Sequence, residues 1–413
     1  MTERHSAEIA VLGGGVVGLT IALRLARAGR AVVLVDPDEP GMGASYGNAG
    51  TIADYAVMPV GTPSVLRSLP SLLFDRNSPL AIRRAAILSL APWLLRFLRE
   101  SLPDRARANA AAIATLVADA APMWEELATE VGGADLVIRR GALYVYDTPA
   151  AVRAAEADMV ERRRLGVTVD LVDAGTLAQM EPNLPPAAGG AYFPKAVFLS
   201  DPGAMVARLA AAVAAAGVPH LRARAEGLER MASGVRVSGP GLKLTARRVV
   251  IAAGAHSRAL AAQAGDRVPL DTERGYHLEW DMPTPLLSRP CCPTTRGFYL
   301  CPMTGRLRVA GTVELGGRTA PPSPHRLARL EQGARAIFPA LGPPDRNWMG
   351  FRPSMPDSLP VIGPSRAGAD VIHAYGHGHI GLTLAPATAR LVETLIAGNA
   401  SDRSLSPFRV DRF

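Results

Sequence analysis

The chain has few cysteines and no segment typical of export. Its three cysteines are Cys291, Cys292 and Cys301, too few for a disulfide framework and without the C-x-x-C spacing of zinc and redox sites. We therefore expect reduced thiols. No apolar leader precedes the glycine-rich segment near the start, and no membrane-spanning run is evident. These absences favour a cytoplasmic protein that is neither exported nor integral to a membrane.

Internal repeats and nucleic-acid motifs are also absent. The 413 residues suit two domains, and 48% hydrophobic against 20% charged residues is typical of a globular protein. The 45 Lys and Arg exceed the 37 Asp and Glu, giving a net charge of +8. This excess is compatible with nucleic acid, an anionic membrane surface or an acidic small molecule. Without an aromatic-interleaved basic stripe, we expect no nucleic-acid partner.

A βαβ pattern occupies the first 36 residues. A buried strand over residues 8–12 precedes Gly13-x-Gly15-x-x-Gly18, a helix closes at Gly29, and a second strand ends at Asp36. The glycines permit a tight turn, close approach of a pyrophosphate, and tight helix packing. Backbone from Gly13 through Val16 and Val17 would face the phosphates at the helix N-terminus. Asp36 is placed to accept hydrogen bonds from an adenosine ribose, so the pattern predicts a dinucleotide site.

The remaining periodicity predicts an α/β protein with a discontinuous second domain. We predict a Rossmann-like cofactor domain from residues 1–60, 191–267 and 346–413, and an α+β cap domain from residues 61–190 and 268–345. Helices are predicted at 80–102, 109–131, 150–164, 326–338 and 382–397. Strands are predicted at 142–146, 247–251, 276–280, 306–313 and 371–375.

Several ordered motifs carry a resemblance to a known family. They are GASYGNAG (43–50), FLSDPG (198–203), AAGAHS (252–257), RGYH (274–277), FRPSMPD (351–357) and GHGHIGLT (376–383). With the N-terminal fingerprint, they extend over nearly the whole chain. The sequence resembles the D-amino acid dehydrogenase branch of the FAD-dependent amine oxidases, the class that includes glycine and sarcosine oxidases.

The resemblance implies FAD as the cofactor. Ser45, Asn48, Ala49 and Gly50 would follow the ribityl chain and flavin ring, Ala253 and Gly254 would lie beside the cofactor, and Ala225 would meet the adenine. An ordinary strand end remains an alternative for Ala225. Gly378, Ile380, Gly381, Leu382 and Thr383 would bring a helix N-terminus to the flavin, favouring its reduced, negatively charged state. Sarcosine oxidases attach flavin through a cysteine that aligns with Gly350, so the FAD here should be non-covalent.

Four residues are the candidates for the substrate site. Arg352 would bind a carboxylate bidentately, although a surface arginine is the alternative. Tyr276 and His277 match residues that line the family's substrate cavity, or form a half-buried strand pair. His379 would contact flavin or substrate. A metal pair formed by His377 and His379 is disfavoured because no carboxylate or cysteine cluster accompanies them, so no metal is expected.

The implied reaction is oxidation of an amino acid by hydride transfer from its α carbon to flavin N5. The product is an imine and then a 2-oxo acid. A D-amino acid is the favoured substrate, with D-proline or D-hydroxyproline as a specialised choice. The alternatives are an oxygen-using amino acid or secondary-amine oxidase and a non-catalytic electron-transfer subunit.

A basic amphipathic region suggests the electron acceptor. Between residues 66 and 102, apolar residues interleave with Arg67, Arg76, Arg83, Arg84, Arg96 and Arg99. Such a segment could lie on the inner face of a membrane and bring the reduced flavin near a quinone or an electron-transfer partner. Packing of a cap helix on its own domain is the alternative.

Overall fold

The computed structural model describes residues 4–67, 80–401 and 403–413. Its strands, in chain order, are β1 Arg4–Leu12, β2 Val32–Val35, β3 Thr51–Ile52, β4 Leu80–Ile82, β5 Val137–Ile138, β6 Ala142–Tyr146, β7 Asp170–Asp173, β8 Gly189–Phe193, β9 Val197–Leu199, β10 His220–Leu221, β11 Gly227–Met231, β12 Gly234–Gly239, β13 Leu242–Ile251, β14 Asp271–Asp281, β15 Cys291–Pro293, β16 Phe298–Met303, β17 Arg306–Leu315, β18 Arg346–Ser354, β19 Val361–Ser365 and β20 Gly368–Tyr375.

The helices complete these units. They are α1 Val16–Arg27, α2 Pro63–Arg67, α3 Ile87–Glu100, α4 Pro103–Val117, α5 Ala120–Glu130, α6 Pro149–Arg164, α7 Ala174–Met180, α8 Pro202–Ala215, α9 Ser257–Gln263, α10 Pro324–Ile337 and α11 Gly381–Ala397. Short 3-10 turns occupy Arg84–Ala86, Ala134–Leu136, Gly254–His256, Gly378–Ile380, Ser406–Phe408 and Val410–Arg412.

An eight-stranded sheet forms the first structural unit. Its parallel part runs β10-β2-β1-β13, and β20 continues it along the carboxyl half of β13. The strands are buried on both faces because α1, α8 and α11 cover one face and α9 covers the other. Such coverage explains the continuous apolar runs in the sequence. The mixed α/β fold predicted from the sequence is confirmed.

A nine-stranded, largely antiparallel sheet forms the second unit. It runs β18-β14-β17-β16-β15-β6-β8-β7, with β4 beside β17. Helix α10 packs on one face, where Tyr276, Leu278 and Trp280 share a core with Leu330. Residues of β18 therefore belong to this sheet, although the sequence prediction assigned residue 346 onward to the cofactor domain. We propose that the cap domain extends through Ser354.

Two helical predictions differ from the structure. The segment predicted as one helix over residues 80–102 contains β4, a 3-10 turn and α3, since Leu80–Ile82 adds to the edge of β17. The helix predicted over residues 109–131 is interrupted between α4 and α5. Arg76 and the apolar residues near it lie outside the described residues.

Helix α11 belongs to the hydrophobic core of the cofactor unit. Among the described residues, the segment Gly378–Ala397 that contains it is the one long and apolar enough to cross a membrane by length and composition. However, 67% of this segment is buried inside the protein, where α11 packs against α1 and α5. This burial is that of a core helix.

Candidate active site

A large cavity separates the two sheets. Its volume is about 710 Å³, within the range of small-molecule and cofactor sites. The cavity opens at the carboxyl ends of β1, β2, β13 and β20, where parallel α/β sheets bind ligands. Its opposite wall is formed by β14, β17 and β18 of the second sheet. The cavity is therefore shared by a cofactor-binding edge and a cap surface.

The turn between β1 and α1 requires glycine. Gly13 has a φ of +117°, and a Cβ built there would lie 2.4 Å from the carbonyl oxygen of Ala252. A Cβ on Gly18 would lie 1.8 Å from the carbonyl oxygen of Gly13. Gly15, by contrast, meets no atom closer than 3.4 Å and faces the cavity at the start of α1. This arrangement fits a pyrophosphate approaching the helix N-terminus.

Two side chains accept hydrogen bonds from backbone amides of this turn. The amide of Gly14 donates to Oδ2 of Asp36 at 2.6 Å, and the amide of Val16 donates to Oγ of Ser45 at 2.9 Å. Asp36 thus lies at the end of β2 beside the turn, where a ribose of a bound dinucleotide would reach it.

Most of the predicted cofactor residues border this one cavity. They are Gly13, Gly15, Val16, Val17, Asp36, Ser45, Asn48, Ala49, Ala225, Ala253, Gly254, Gly378, Ile380, Gly381, Leu382 and Thr383. Gly18 packs instead against the turn, and Gly50 packs against Leu199, where its φ is +76°. The structure brings the predicted residues together, and their contacts with FAD remain a prediction.

The loop over residues 45–50 is held by the cap sheet. Arg308 donates to the carbonyl oxygens of Tyr46 and Asn48, and Nδ1 of His277 lies 3.1 Å from the carbonyl oxygen of Gly47. Arg308 is itself paired with Glu279 at 2.7 Å. The cap sheet therefore positions the loop that borders the cavity.

Glu279 is the centre of a charged cluster behind this loop. It pairs with Arg306, Arg308 and Arg346 at 2.7–2.9 Å. Burial alone would raise the pKa of the Glu279 carboxyl, but the three arginines lower it to about 2. Glu279 is therefore ionised and anchors Arg308 against the loop.

Three cross-strand pairs make up the cap surface that faces the cofactor unit. In the β14–β18 register, His277 lies opposite Trp348, Gly275 opposite Gly350, and Glu273 opposite Arg352. The rings of His277 and Trp348 stack at 5.1 Å. Alternation along a strand places these pairs on one face of the sheet.

The central glycine pair makes room for the larger side chains beside it. A Cβ on Gly350 would lie 2.0 Å from the Trp348 ring, and a Cβ on Gly275 would lie 2.5 Å from Nη2 of Arg352. The Trp348 ring and the Arg352 guanidinium thus lie flat over glycine backbone. Both side chains border the cavity.

Arg352 and Glu273 carry the charge on this surface. Within the described part of the chain, the Arg352 guanidinium donates no hydrogen bond and has no carboxylate within 4.0 Å. Burial lowers the pKa of Arg352, an effect that the negative charge of Glu273 opposes. Glu273 is 4% exposed, and burial raises the pKa of its carboxyl, while Arg352 and Ser354 act in the opposite direction. A half-buried guanidinium open to a cavity is suited to a carboxylate ligand.

The other predicted substrate residues have different surroundings. Tyr276 borders the cavity, but its hydroxyl donates to Glu314 at 2.7 Å and accepts from the amide of Ser323 at 3.1 Å. His277 is 2% exposed and supports the loop through Gly47. Burial, with a contribution from the Arg308 charge, lowers the pKa of His277 to about 4. Both residues thus have structural partners.

His379 borders the end of the cavity where we predict that the flavin binds. It is in the 3-10 turn Gly378–Ile380 before α11 and lines the cavity wall. Its side chain is exposed to the cavity, but desolvation by the surrounding protein, together with the Arg352 charge, lowers the pKa of His379 to about 4. His377 also borders the cavity, but its Nε2 has a partner, 2.9 Å away, in the hydroxyl of Thr388. The neutral His379 imidazole is therefore available to a ligand.

The start of α11 is fixed by hydrogen bonds from two other segments of the chain. Trp124 donates to the carbonyl oxygen of Leu382 at 2.8 Å, and Thr383 accepts from the amide of Ala53 at 3.1 Å. The α11 N-cap has no side-chain hydrogen bond, which suits a helix end that faces an anionic group. Among the described residues, no group of three or more His, Cys, Asp or Glu is placed to hold a metal ion.

Several residues of the site were missed by sequence reasoning. Glu273, Gly275, Trp348 and Arg308 shape the cap surface or the loop. The period-two pattern of Glu273, Gly275 and His277 could have placed these three residues on one face. The partners on β18 could not be identified, because the register between distant strands is not visible in local periodicity.

Comparisons with known proteins identify the family and the fold of the chain. The family model described as FAD dependent oxidoreductase matches residues 8–395. A protein from Bradyrhizobium diazoefficiens named D-amino-acid oxidase is 35% identical, covering 98% of each chain. D-amino acid dehydrogenase 2 from Ralstonia nicotianae is 30% identical over 98% of this chain and 100% of that protein. The solved glycine oxidase from Geobacillus kaustophilus has a similar fold, with a TM-score of 0.79, 24% identity and 99% coverage of both chains.

Proposed function

The chain belongs to the family of FAD-dependent oxidoreductases, and on this premise we propose that it oxidises D-amino acids at the α carbon. The observation that carries the proposal is the Arg352 guanidinium, which opens into the same cavity as the glycine turn of the cofactor site. A carboxylate is shared by all amino acids and matches the planar guanidinium. The names of the two relatives described above support the D-enantiomer.

The protein's own residues orient the substrate. Arg352 binds the carboxylate, and the flat surface over Gly275 and Gly350 leaves space for the reacting carbon beside it. Bound FAD supplies a hydride acceptor, and the resulting imine hydrolyses to a 2-oxo acid. Trp348 closes one side of this surface, so the site excludes part of the water around the substrate.

Substrate size is limited by an aromatic wall. Tyr55, Tyr144 and Tyr299 line the cavity, with the hydroxyls of Tyr144 and Tyr299 3.4 Å apart. Such a wall packs well against a compact apolar side chain or ring. D-Proline and D-hydroxyproline are therefore included with the acyclic D-amino acids as candidate substrates.

We further propose a quinone or dye, rather than oxygen, as the preferred electron acceptor. The support is an exposed apolar stripe on α3, formed by Leu88 and Leu95 at seven-residue spacing with exposed fractions of 88% and 69%. Leu102, 49% exposed, follows just after the end of the helix. Arg96 and Arg99 are exposed on the same segment. This pattern fits a helix lying on an anionic membrane. Arg83, in contrast, is paired with Glu314 at 2.9 Å, and the side chain of Arg84 lies outside the described part.

The experiment is a screen of D- and L-amino acids with an artificial dye acceptor, with and without oxygen. We expect dye reduction with D-amino acids and little peroxide. Rapid peroxide production at the turnover rate would identify an oxidase instead.

A matched pair of variants tests the carboxylate site. Arg352→Met should lower kcat/KM for every amino acid by at least tenfold, since a hydrogen bond to a charged group contributes about 1.5–3 kcal/mol. Its FAD content should be unchanged, and the exposed Arg267 changed to Met is the control. Unaltered kinetics in Arg352→Met would contradict the proposed site.

A further inference from the structure

Resting on the proposed function, we infer that Glu273 binds the ammonium group of the substrate and removes its proton before oxidation. Glu273 and Arg352 lie directly opposite each other in β14 and β18, and both border the cavity. An α-amino acid carries a carboxylate and an ammonium group on adjacent atoms. The guanidinium and carboxylate present the two complementary charges side by side.

The Arg352 guanidinium and the Glu273 carboxylate are far enough apart for a ligand to bind to both. Side chains directly opposite each other in neighbouring strands start about 5 Å apart at Cβ, yet in the described structure the Arg352 and Glu273 side chains form no ion pair within 4.0 Å. Instead, the Arg352 guanidinium extends over Gly275. A zwitterion with its carboxylate on Arg352 and its ammonium on Glu273 would pair the half-buried guanidinium and the buried carboxylate, which is favourable because poorly solvated charges without a partner are costly.

The proton balance is simple. The N–H bond of the ammonium breaks, its electron pair stays on nitrogen as the lone pair, and the proton forms an O–H bond with the Glu273 carboxylate. The substrate is then a neutral amine, whose lone pair assists departure of the α hydrogen as hydride. Burial raises the pKa of Glu273 above its ordinary 4.5, which makes the carboxylate a stronger base.

Among the described groups around the charge pair, Glu273 is the one suited to accept a proton from the ammonium group. His377 and His379 face the same region from the start of α11, but burial lowers their pKa values to about 3 and about 4, with Arg352 contributing for His379. Both are weak bases. On β18, Arg352 is cationic and Ser354 offers a hydroxyl. On the opposite face of β14, Arg274 pairs with Glu314 at 3.3 Å, and Glu314 also pairs with Arg83.

The test uses the FAD-loaded protein and two probes with one carbon skeleton. 2-Aminoisobutyrate has no α hydrogen and is not oxidised, and isobutyrate lacks the amine. Binding of each is followed by the change in flavin absorbance. For Glu273→Gln we expect at least tenfold weaker binding of 2-aminoisobutyrate and equal or tighter binding of isobutyrate, because the competing negative charge beside Arg352 is removed.

The pH profile provides a second readout. In the wild type, kcat/KM should fall on the acid side as Glu273 becomes protonated, at a pH above the ordinary glutamate pKa. In Glu273→Gln it should drop roughly a hundredfold at neutral pH and recover about tenfold for each added pH unit, since the neutral amine must then come from solution. Asp271→Asn, on the same strand and outside the cavity lining, should leave the profile unchanged.

Specific outcomes separate the alternatives. Equal weakening of both probes in Glu273→Gln would mean that Glu273 only positions Arg352, and an unaltered pH profile would also overturn the inference. If Glu273→Gln does not retain FAD, the test uses Glu273→Asp instead. A lower kcat/KM with the same pH profile in Glu273→Asp supports the inference, and loss of the acid-side fall in kcat/KM contradicts it. If the wild type oxidises no amino acid, the proposed function fails, while the two probes still test whether Glu273 binds an ammonium group.

Discussion

The Arg352 guanidinium lies against the backbone of Gly275, so closely that a Cβ at residue 275 would be 2.5 Å from Nη2. Because residue 275 of β14 has no side chain, the Arg352 guanidinium of β18 can occupy this position. Glycine within a strand often marks such a close approach. In this protein it gives the guanidinium a flat surface at the cavity wall.

Gly275→Ala should displace Arg352 and raise KM for amino acids at least tenfold, with FAD content retained. Gly342→Ala is the control, because a Cβ there meets nothing within 4 Å. Steady-state kinetics and flavin absorbance measure the two effects. Normal KM in Gly275→Ala would show that Arg352 does not depend on this contact.

The second and third glycines of the N-terminal fingerprint, Gly15 and Gly18, should behave differently when substituted. Gly15 has a φ of −72°, which any residue adopts, and its nearest contact is 3.4 Å away. Gly15→Val should therefore fold with a near-normal Tm but fail to retain FAD, because its side chain occupies the space of the pyrophosphate.

Gly18→Ala should instead lower the stability of the fold. Its Cβ would collide with the carbonyl oxygen of Gly13, and such overpacking costs about 1–3 kcal/mol or more. Thermal unfolding of the apoproteins distinguishes the two variants. Equal Tm values for both would contradict the assignment of Gly18 to packing and Gly15 to the cofactor.

Glu279 should link the stability of the cap sheet to pH. Because the folded-state pKa of Glu279 is depressed to about 2, its contribution is present above about pH 4.5 and is lost as the pH falls toward 2. Glu279→Gln leaves three arginines without their shared carboxylate and should cost about 3 kcal/mol at neutral pH. Urea unfolding measures the loss. Asp281→Asn, at an exposed carboxylate that pairs with Arg346, should change little, and equal effects of the two changes would refute the central role of Glu279.

Membrane binding should depend on the exposed stripe of α3. We expect the wild type to bind anionic vesicles at low salt and to dissociate as salt rises, since each exposed basic residue near such a surface contributes about 1 kcal/mol. Arg96→Glu with Arg99→Glu, or Leu88→Ser with Leu95→Ser, should abolish cosedimentation. Val160→Ser, at a residue 46% exposed, is the control. No binding by the wild type at any salt concentration would rule out the membrane proposal.

Local signals in the sequence predicted the β1-turn-α1-β2 unit at the edge of the cavity. The strand, glycine turn, helix and Asp36 are contiguous, and the structure places them around one cavity. The cap surface could not be predicted in the same way. Glu273 and Arg352 are far apart in the chain, and their pairing depends on the register of β14 with β18, which local periodicity does not contain.

The two histidines show a similar limit. The sequence predicts that His277 lines the substrate cavity or forms part of a half-buried strand pair, and that His379 contacts flavin or substrate. The two side chains differ only in the folded chain. The His277 ring stacks on Trp348 and contacts the carbonyl oxygen of Gly47, whereas His379 faces the cavity. Their positions in the folded chain, His277 on β14 and His379 in the turn before α11, account for this difference.

The most direct test of the account is anaerobic mixing of the FAD-loaded protein with single enantiomers of amino acids, followed by flavin absorbance in a stopped-flow instrument. We expect D-amino acids to bleach the flavin rapidly and their L-enantiomers to leave it oxidised. The 2-oxo acid should form in an amount equal to the reduced flavin. Flavin that stays oxidised with every D-amino acid, or is reduced equally by L-enantiomers, would contradict the proposal that this protein oxidises D-amino acids.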